Sequence, residues 1–221
     1  YGKSPWTWDW NGTIAANSSS ADDVVVFQTD TVSRGNKESI GILRNSINRQ
    51  NTIGAISKLN YDLNENIKLQ FGLDWRTAGI EHAREVRDLL GGDYYVDYAD
   101  DNAPDGKQVG LGDIIAYWNE TTVDWLGFFG QGSYNSGPIS AYGMAGWSSI
   151  EYSYLDHFTG EWVDGEYMPS AKVNSDAITA MQFKGGAMYD LNENMSLFAN
   201  YGLVEKPPIL DNVIYYDGTV A

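Results

Sequence analysis

The residues best suited to chemistry in this 221-residue chain are aromatic and acidic, and most of them gather between strand-like stretches. Tyr94, Tyr95, Tyr98, Trp118 and Trp162 offer flat, rigid rings that can stack on a sugar ring or another apolar plate at low entropic cost. Residues 93–113 also carry Asp97, Asp100, Asp101, Asp105 and Asp113. Calcium takes several carboxylate and carbonyl oxygens, so such a loop has suitable atoms. The spacing is not that of an EF-hand, however, and acidic surface loops are commonly only hydrated. No metal site and no cofactor is expected. There are two histidines, His82 and His157, and no cysteine. Asp156 precedes His157, but adjacent residues of a strand point to opposite faces, so adjacency does not make an acid–base pair. Serine is too frequent for a Ser-His-Asp set to stand out. The chain is not read as an enzyme. Asn-x-Ser/Thr triplets begin at Asn11, Asn17, Asn119 and Asn194, a pattern that arises easily by chance in so Asn- and Ser-rich a chain.

Two segments share six letters, Tyr61-Asp-Leu-Asn-Glu-Asn66 and Tyr189-Asp-Leu-Asn-Glu-Asn194. After the first, Ile67, Leu69, Phe71, Leu73 and Trp75 alternate with Lys68, Gln70, Gly72, Asp74 and Arg76. After the second, Met195, Leu197, Ala199, Tyr201 and Leu203 follow the same rhythm. A period of two belongs to a strand with one apolar face. The repeated Leu-Asn-Glu-Asn predicts a tight turn, because Asn tolerates positive φ and its amide can bond nearby backbone. Strands are expected at about 52–62, 67–80, 122–134, 139–154, 176–189 and 195–204. Residues 1–40 are expected to be mostly loop, with strand resuming near 41–51. In the first long excursion, 81–119, residues 82–90 have helical spacing (Val86, Leu89 and Leu90 on one side) and end at Gly91-Gly92. A second excursion covers 155–175.

The connections therefore alternate between turns of about four residues and excursions of about twenty to forty. Soluble β domains have connections near a median of 4–6 residues. Membrane barrels pair short turns on one side with long loops on the other. Tyr61, Tyr134, Tyr142 and Tyr189 lie near the short turns, and Trp75, Tyr152 and Tyr154 near the long loops, as aromatic girdles would. Tyr142, Met144, Ile150 and Tyr152 share a parity read as the lipid-facing row. The opposite parity carries Lys58, Asn60, Lys68, Gln70, Asp74, Arg76, Glu151, Gln182 and Lys184, a wet face of mixed sign. A soluble sandwich with one solvated face is the alternative; the asymmetry of loop lengths favours the barrel. Six strands cannot close a transmembrane barrel, for which about eight is the minimum, so the segment is expected to be a fragment.

Formal net charge is −16, which disfavours nucleic acid as a partner because its phosphates would be repelled. The absence of cysteine leans toward a bacterial source. Eight Trp, 15 Tyr and 24 Gly suit sheet that meets sugar or a membrane interface. No run approaches eighteen apolar residues, so a transmembrane helix is not expected.

The segments 41–54 (Gly-Ile-Leu-Arg-Asn-Ser-Ile-Asn-Arg-Gln-Asn-Thr-Ile-Gly), Asp74-Trp-Arg-Thr-Ala78 with 84–95, and 201–213 (beginning Tyr-Gly-Leu-Val-Glu-Lys-Pro-Pro) resemble the barrel of TonB-dependent receptors. They are most similar to the subgroup with a carboxypeptidase-regulatory-like N-terminal extension. The resemblance covers roughly residues 40–221 and consists of family-flavoured phrases without catalytic signatures. It implies an all-β, antiparallel, up-and-down transmembrane β-barrel fragment of about six strands, with short periplasmic turns and long extracellular loops. It further implies a place in the bacterial outer membrane among its lipids, and import of a scarce nutrient such as a siderophore, vitamin, oligosaccharide or peptide. No plug and no TonB box are recognised in residues 1–221, so contact with TonB is expected only through other parts of such a receptor. Two other functions stay open: a non-transporting surface barrel or adhesin, and a soluble carbohydrate-binding β-protein. In the transporter reading, Tyr94, Tyr95, Tyr98, Trp118 and Trp162 would be ligand-capturing loop residues.

Overall fold

A computed structural model of the chain describes residues 7–20, 24–27, 30–33, 35–215 and 220. In chain order the elements are helix α1 (Trp10–Ser18) and strands β1 (Val24–Phe27), β2 (Asp30–Ser33), β3 (Leu43–Asp62), β4 (Ile67–Asp88), β5 (Tyr95–Asp97) and β6 (Lys107–Val109). They continue with β7 (Ile114–Ser136), β8 (Ile139–Asp156), β9 (Glu161–Val163), β10 (Glu166–Met168), β11 (Ala171–Asn174), β12 (Ile178–Asn192) and β13 (Met195–Val204). The main sheet runs β3-β4-β7-β8-β12-β13, with β11 also pairing β8. As described it is open, ending on β3 and β13. All six expected strands are present, but most are longer than expected. β4 has 22 residues and β7 has 23, where a membrane crossing needs about 9–11.

The short turns explain the meander. Asn64 Oδ1 accepts from the backbone N–H of Asn66 and of Ile67, both at 2.9 Å. Its counterpart in the second copy, Asn192, accepts from Asn194 N–H at 2.9 Å. The same letter at the same motif position thus makes the same local bond. It does so through its amide, since neither Asn has a positive φ. The third turn uses Gly137 at φ +55°.

Contacts divide the chain into two units. One comprises Gln50–Gly79, Thr121–Tyr154 and Lys172–Ala221. Here directly opposed residues share a face, so register sorts the side chains. One face carries Trp147↔Met181, Ala145↔Phe183↔Leu203 and Ile139↔Tyr189↔Leu197. Phe128 stacks on Trp147 at 4.8 Å, which carries this apolar face onto β7. Phe71, Leu73 and Trp75 on β4 are 48, 46 and 42 % exposed, so that row stands about half open among the described residues. Phe71, Phe128, Trp147, Met181 and Phe183 bound a shallow hollow of about 630 Å³ on this side.

The other face carries Gly146↔Gln182, Met144↔Lys184 and Tyr142↔Gly186↔Asn200. This corrects one expectation. Tyr142, Met144, Ile150 and Tyr152 belong to the face of Gln182 and Lys184, and Glu151 belongs to the parity of Trp147. Alternation alone misled because Ile150 and Tyr152 are apolar for a different reason. They form a buried cluster with Val213 and Ile214, and the Tyr152 hydroxyl donates to Pro208 O at 3.0 Å. The segment after β13 covers this end of the face.

The other unit comprises Tyr1–Arg49, Ile80–Glu120 and Leu155–Ala171. Within residues 1–40 the structure has α1 and the β1–β2 pair beside the irregular stretches. Asp9 caps α1, accepting from Gly12 N–H at 2.9 Å. Asn17 is fully buried and donates to Gly41 O and Leu89 O while accepting from Ile40 N–H. Val86, Leu89, Val109 and Ile115 form the core. Residues 82–90 are not helical: β4 continues to Asp88, because Val86 exchanges backbone bonds with Asp113 O and Gly112 N–H. Tertiary pairing overrides the local spacing. The glycine signal survives as a turn, with Leu90 at φ +51° and Gly91 at φ +93°.

The two faces make a direct prediction for the intact barrel in lipid. Nitroxide labels at Leu73 and Phe183 should relax with dissolved oxygen, and labels at Met144 and Gln182 with an aqueous nickel complex. Equal aqueous access at all four positions would contradict this arrangement.

Candidate functional site

The five aromatic candidates all fall in the unit containing the long excursions, and the structure gives them different surroundings. Tyr94 anchors its own backbone: its carbonyl accepts from Ser39 N–H at 2.7 Å, and it bridges to Glu38. Tyr95 pairs with Val109 in the β5–β6 hairpin and packs against the core cluster. Burial, and then the nearby Asp97 carboxylate, push its phenol above the usual range near 10. Tyr98 is 70 % exposed and Trp162 is 73 % exposed. Trp162 faces Tyr167 across β9–β10 with ring centroids 5.5 Å apart. Trp118 stacks on His157 at 4.0 Å and donates from Nε1 to Glu81 Oε1 at 3.2 Å.

The acidic residues of 93–113 are largely engaged as backbone acceptors. Asp97 takes the N–H of Ala116 at 3.0 Å, and Asp113 takes that of Gly110 at 2.7 Å. Asp100 accepts from Asn102 through both backbone and side chain, with Lys107 3.8 Å away. Among the described residues no three His, Cys, Asp or Glu groups converge as metal ligands would.

Sequence reasoning missed Asn102, on which the two excursions meet. Its amide nitrogen donates to Asp100 Oδ1 and to Pro169 O, both at 2.9 Å, and its oxygen accepts from the Tyr167 hydroxyl at 2.6 Å. Asp101 N–H adds a bond to Phe158 O at 2.9 Å. Nothing in a one-dimensional pattern marks a residue whose partners lie more than sixty positions away. His157 is a similar case. Its partner is Glu120, at 3.1 Å, and not the adjacent Asp156, which caps Phe158 N–H. Glu81 joins this group to Arg49 at 3.0 Å. The result is a hydrogen-bonded loop surface with Tyr98 and Trp162 outward and Trp118 held against a histidine.

The sheet is a strand meander with an exposed apolar row, a polar row and long excursions between its strands. The family described as TonB dependent receptor-like, β-barrel matches residues 3–220. The chain belongs to that family. No curated protein and no solved structure is significantly similar to it. TonB-dependent receptors are outer-membrane transporters, not enzymes, and that is the frame for the loop aromatics. The match is to the barrel and does not bear on the subgroup with an N-terminal extension.

Removing the Asn102 side chain leaves Pro169 O and the Tyr167 hydroxyl without this partner. Both bonds are exposed, and a hydrogen bond of this kind contributes about 0.5–1.5 kcal/mol. Asn102→Ala should therefore speed proteolytic nicking and amide exchange in both 98–106 and 157–169. Exchange at Val86 and Ile115, in the core of the same unit, should stay slow.

Proposed function

We propose that the chain forms part of the wall of an outer-membrane receptor that imports a scarce nutrient. In this reading the short turns are periplasmic and the excursions extracellular. Exposed loop aromatics make first contact with the ligand, Tyr98 and Trp162 foremost, with Trp118 contributing a ring held rigid against His157. Tyr94 and Tyr95 contribute by holding the loop in place as well as by any contact of their own. Energy from TonB is assigned to no residue of this chain. The observation that carries the proposal is the two-faced sheet: Phe71, Leu73, Met181 and Phe183 stand uncovered on one face, while Lys184, Gln182 and Asn200 stand on the other. A soluble protein would leave such an apolar expanse open to water at the cost of aggregation. A bilayer covers it without further protein.

Transport is tested in the source organism by deleting the gene and measuring uptake of labelled nutrients across classes. Loss of one uptake activity, restored by the wild-type gene, is the expected result. A strain that keeps every uptake activity but loses surface adhesion would favour a non-transporting barrel. The paired change Tyr98→Ala and Trp162→Ala should weaken ligand capture about tenfold, seen as a raised half-saturation for uptake at unchanged receptor abundance.

A further inference from the structure

The polar face holds a second hollow, of about 200 Å³, in the unit containing Thr121–Tyr154. Its floor is backbone, because Gly127 and Gly146 supply no side chain there. A Cβ on Gly127 would stand 3.2 Å from Trp125 Nε1, and one on Gly146 would stand 2.8 Å from the Gln182 amide nitrogen. The two glycines thus let an indole and an amide lie down over the sheet. Trp125 is fixed from behind, packing on the cluster of Ile150, Tyr152, Val213 and Ile214. Asp74, Ser148 and Glu205 complete the rim.

The hydrogen-bonding capacity of this rim is only partly used. Glu205 Oε2 accepts from Met181 N–H at 2.9 Å, which fixes the carboxylate where β13 ends. Asp74 is held by a bidentate Arg76 at 2.7 and 2.8 Å, leaving one lone pair on each oxygen. Among the described residues, Trp125 Nε1, Ser148 Oγ and the Gln182 amide make no hydrogen bond to protein. An aromatic plate beside convergent donors and carboxylate acceptors suits a ligand with an apolar ring face and a hydroxylated edge. Two carboxylates against one guanidinium disfavour an anion. A purely apolar ligand would strand the donors. The volume fits one ring of a larger molecule, since drug-sized ligands need about 300 Å³ or more.

We infer that this hollow is a binding subsite for a single ring of a neutral carbohydrate, with Trp125 as its platform and Gln182, Ser148, Asp74 and Glu205 as its hydroxyl partners. The inference rests on the transport reading and adds a substrate class to it. The test uses the full-length receptor in detergent, titrated calorimetrically with malto-, cello-, xylo- and chito-oligosaccharides. At least one series should bind and quench tryptophan fluorescence. Trp125→Ala should weaken that binding about tenfold or more, Gln182→Ala should weaken it several-fold, and Trp125→Phe should retain part of it. Heat-modifiable gel mobility checks that each variant is folded. The inference falls if no series binds the wild type, or if folded Trp125→Ala binds within twofold of it. Uptake of some other nutrient lost on gene deletion, with no oligosaccharide bound, would end the carbohydrate assignment while leaving transport intact.

Discussion

The pairing that sets Phe183 opposite Ala145 and Gln182 opposite Gly146 decides which side chains face which solvent. In a ladder of period two, a slip of one residue would move Gln182 and Lys184 into the apolar row and Phe183 into the polar one. Burying a charged Lys184 in hydrocarbon costs several kcal/mol, and exposing Phe183 to water costs about 1.5–3 kcal/mol. Either penalty is large against the marginal stability of a fold. The register is therefore fixed by the environment on the two sides of the sheet, and everything attached to the strands inherits its position from it. The Asn64 and Asn192 amides reinforce the choice at the turns, where they close the same local geometry with the same bond.

Beyond this constraint, the long excursions solve a different problem. A loop of twenty or more residues loses considerable conformational entropy when ordered, about 1–2 kcal/mol per residue for backbone alone. The unit containing them offsets that cost with a small core around Val86 and Ile115 and with side-chain bonds to backbone. Asn17 is the clearest instance, buried and bonded to segments of the chain 23, 24 and 72 positions away. Asn102 plays the corresponding part between 98–106 and 157–169. Both are Asn because one amide can donate twice and accept at once, and a carboxylate cannot donate. Ordered loops can then present Tyr98 and Trp162 without losing that entropy again on binding.

Strands, short turns and the placement of the excursions were legible from sequence, since each depends on neighbours within a few positions. β13 coincides with its expected bounds, and the turn after Asp62 falls where the repeated motif placed it. The failures have a common cause. Residues 82–90 look helical until Gly112 and Asp113 arrive to pair with Val86. Ile150 and Tyr152 look lipid-facing until Val213 and Ile214 cover that end of their row. For the candidate site, residue types were legible and partnerships were not: His157 meets Glu120 and Trp118, and Asn102 meets Tyr167, across separations that no local pattern encodes.

The same logic bears on why glycine recurs on the polar face. Gly72, Gly127 and Gly146 each lie under a larger side chain, respectively the Phe129 ring, the Trp125 indole and the Gln182 amide. Glycine weakens a strand through its extra backbone freedom, by roughly 0.5–1 kcal/mol per site, so its repeated use needs a local reason. Strand stability alone would favour a β-branched residue at each of these positions. Substituting Ala at Gly146 would press on the flexible Gln182 side chain, which can swing away, whereas at Gly72 it would press on the Phe129 ring. This face of the sheet is therefore tolerant of a methyl at Gly146 and intolerant of one at Gly72. Such a surface holds its aromatic groups in fixed positions and lets its amide adjust.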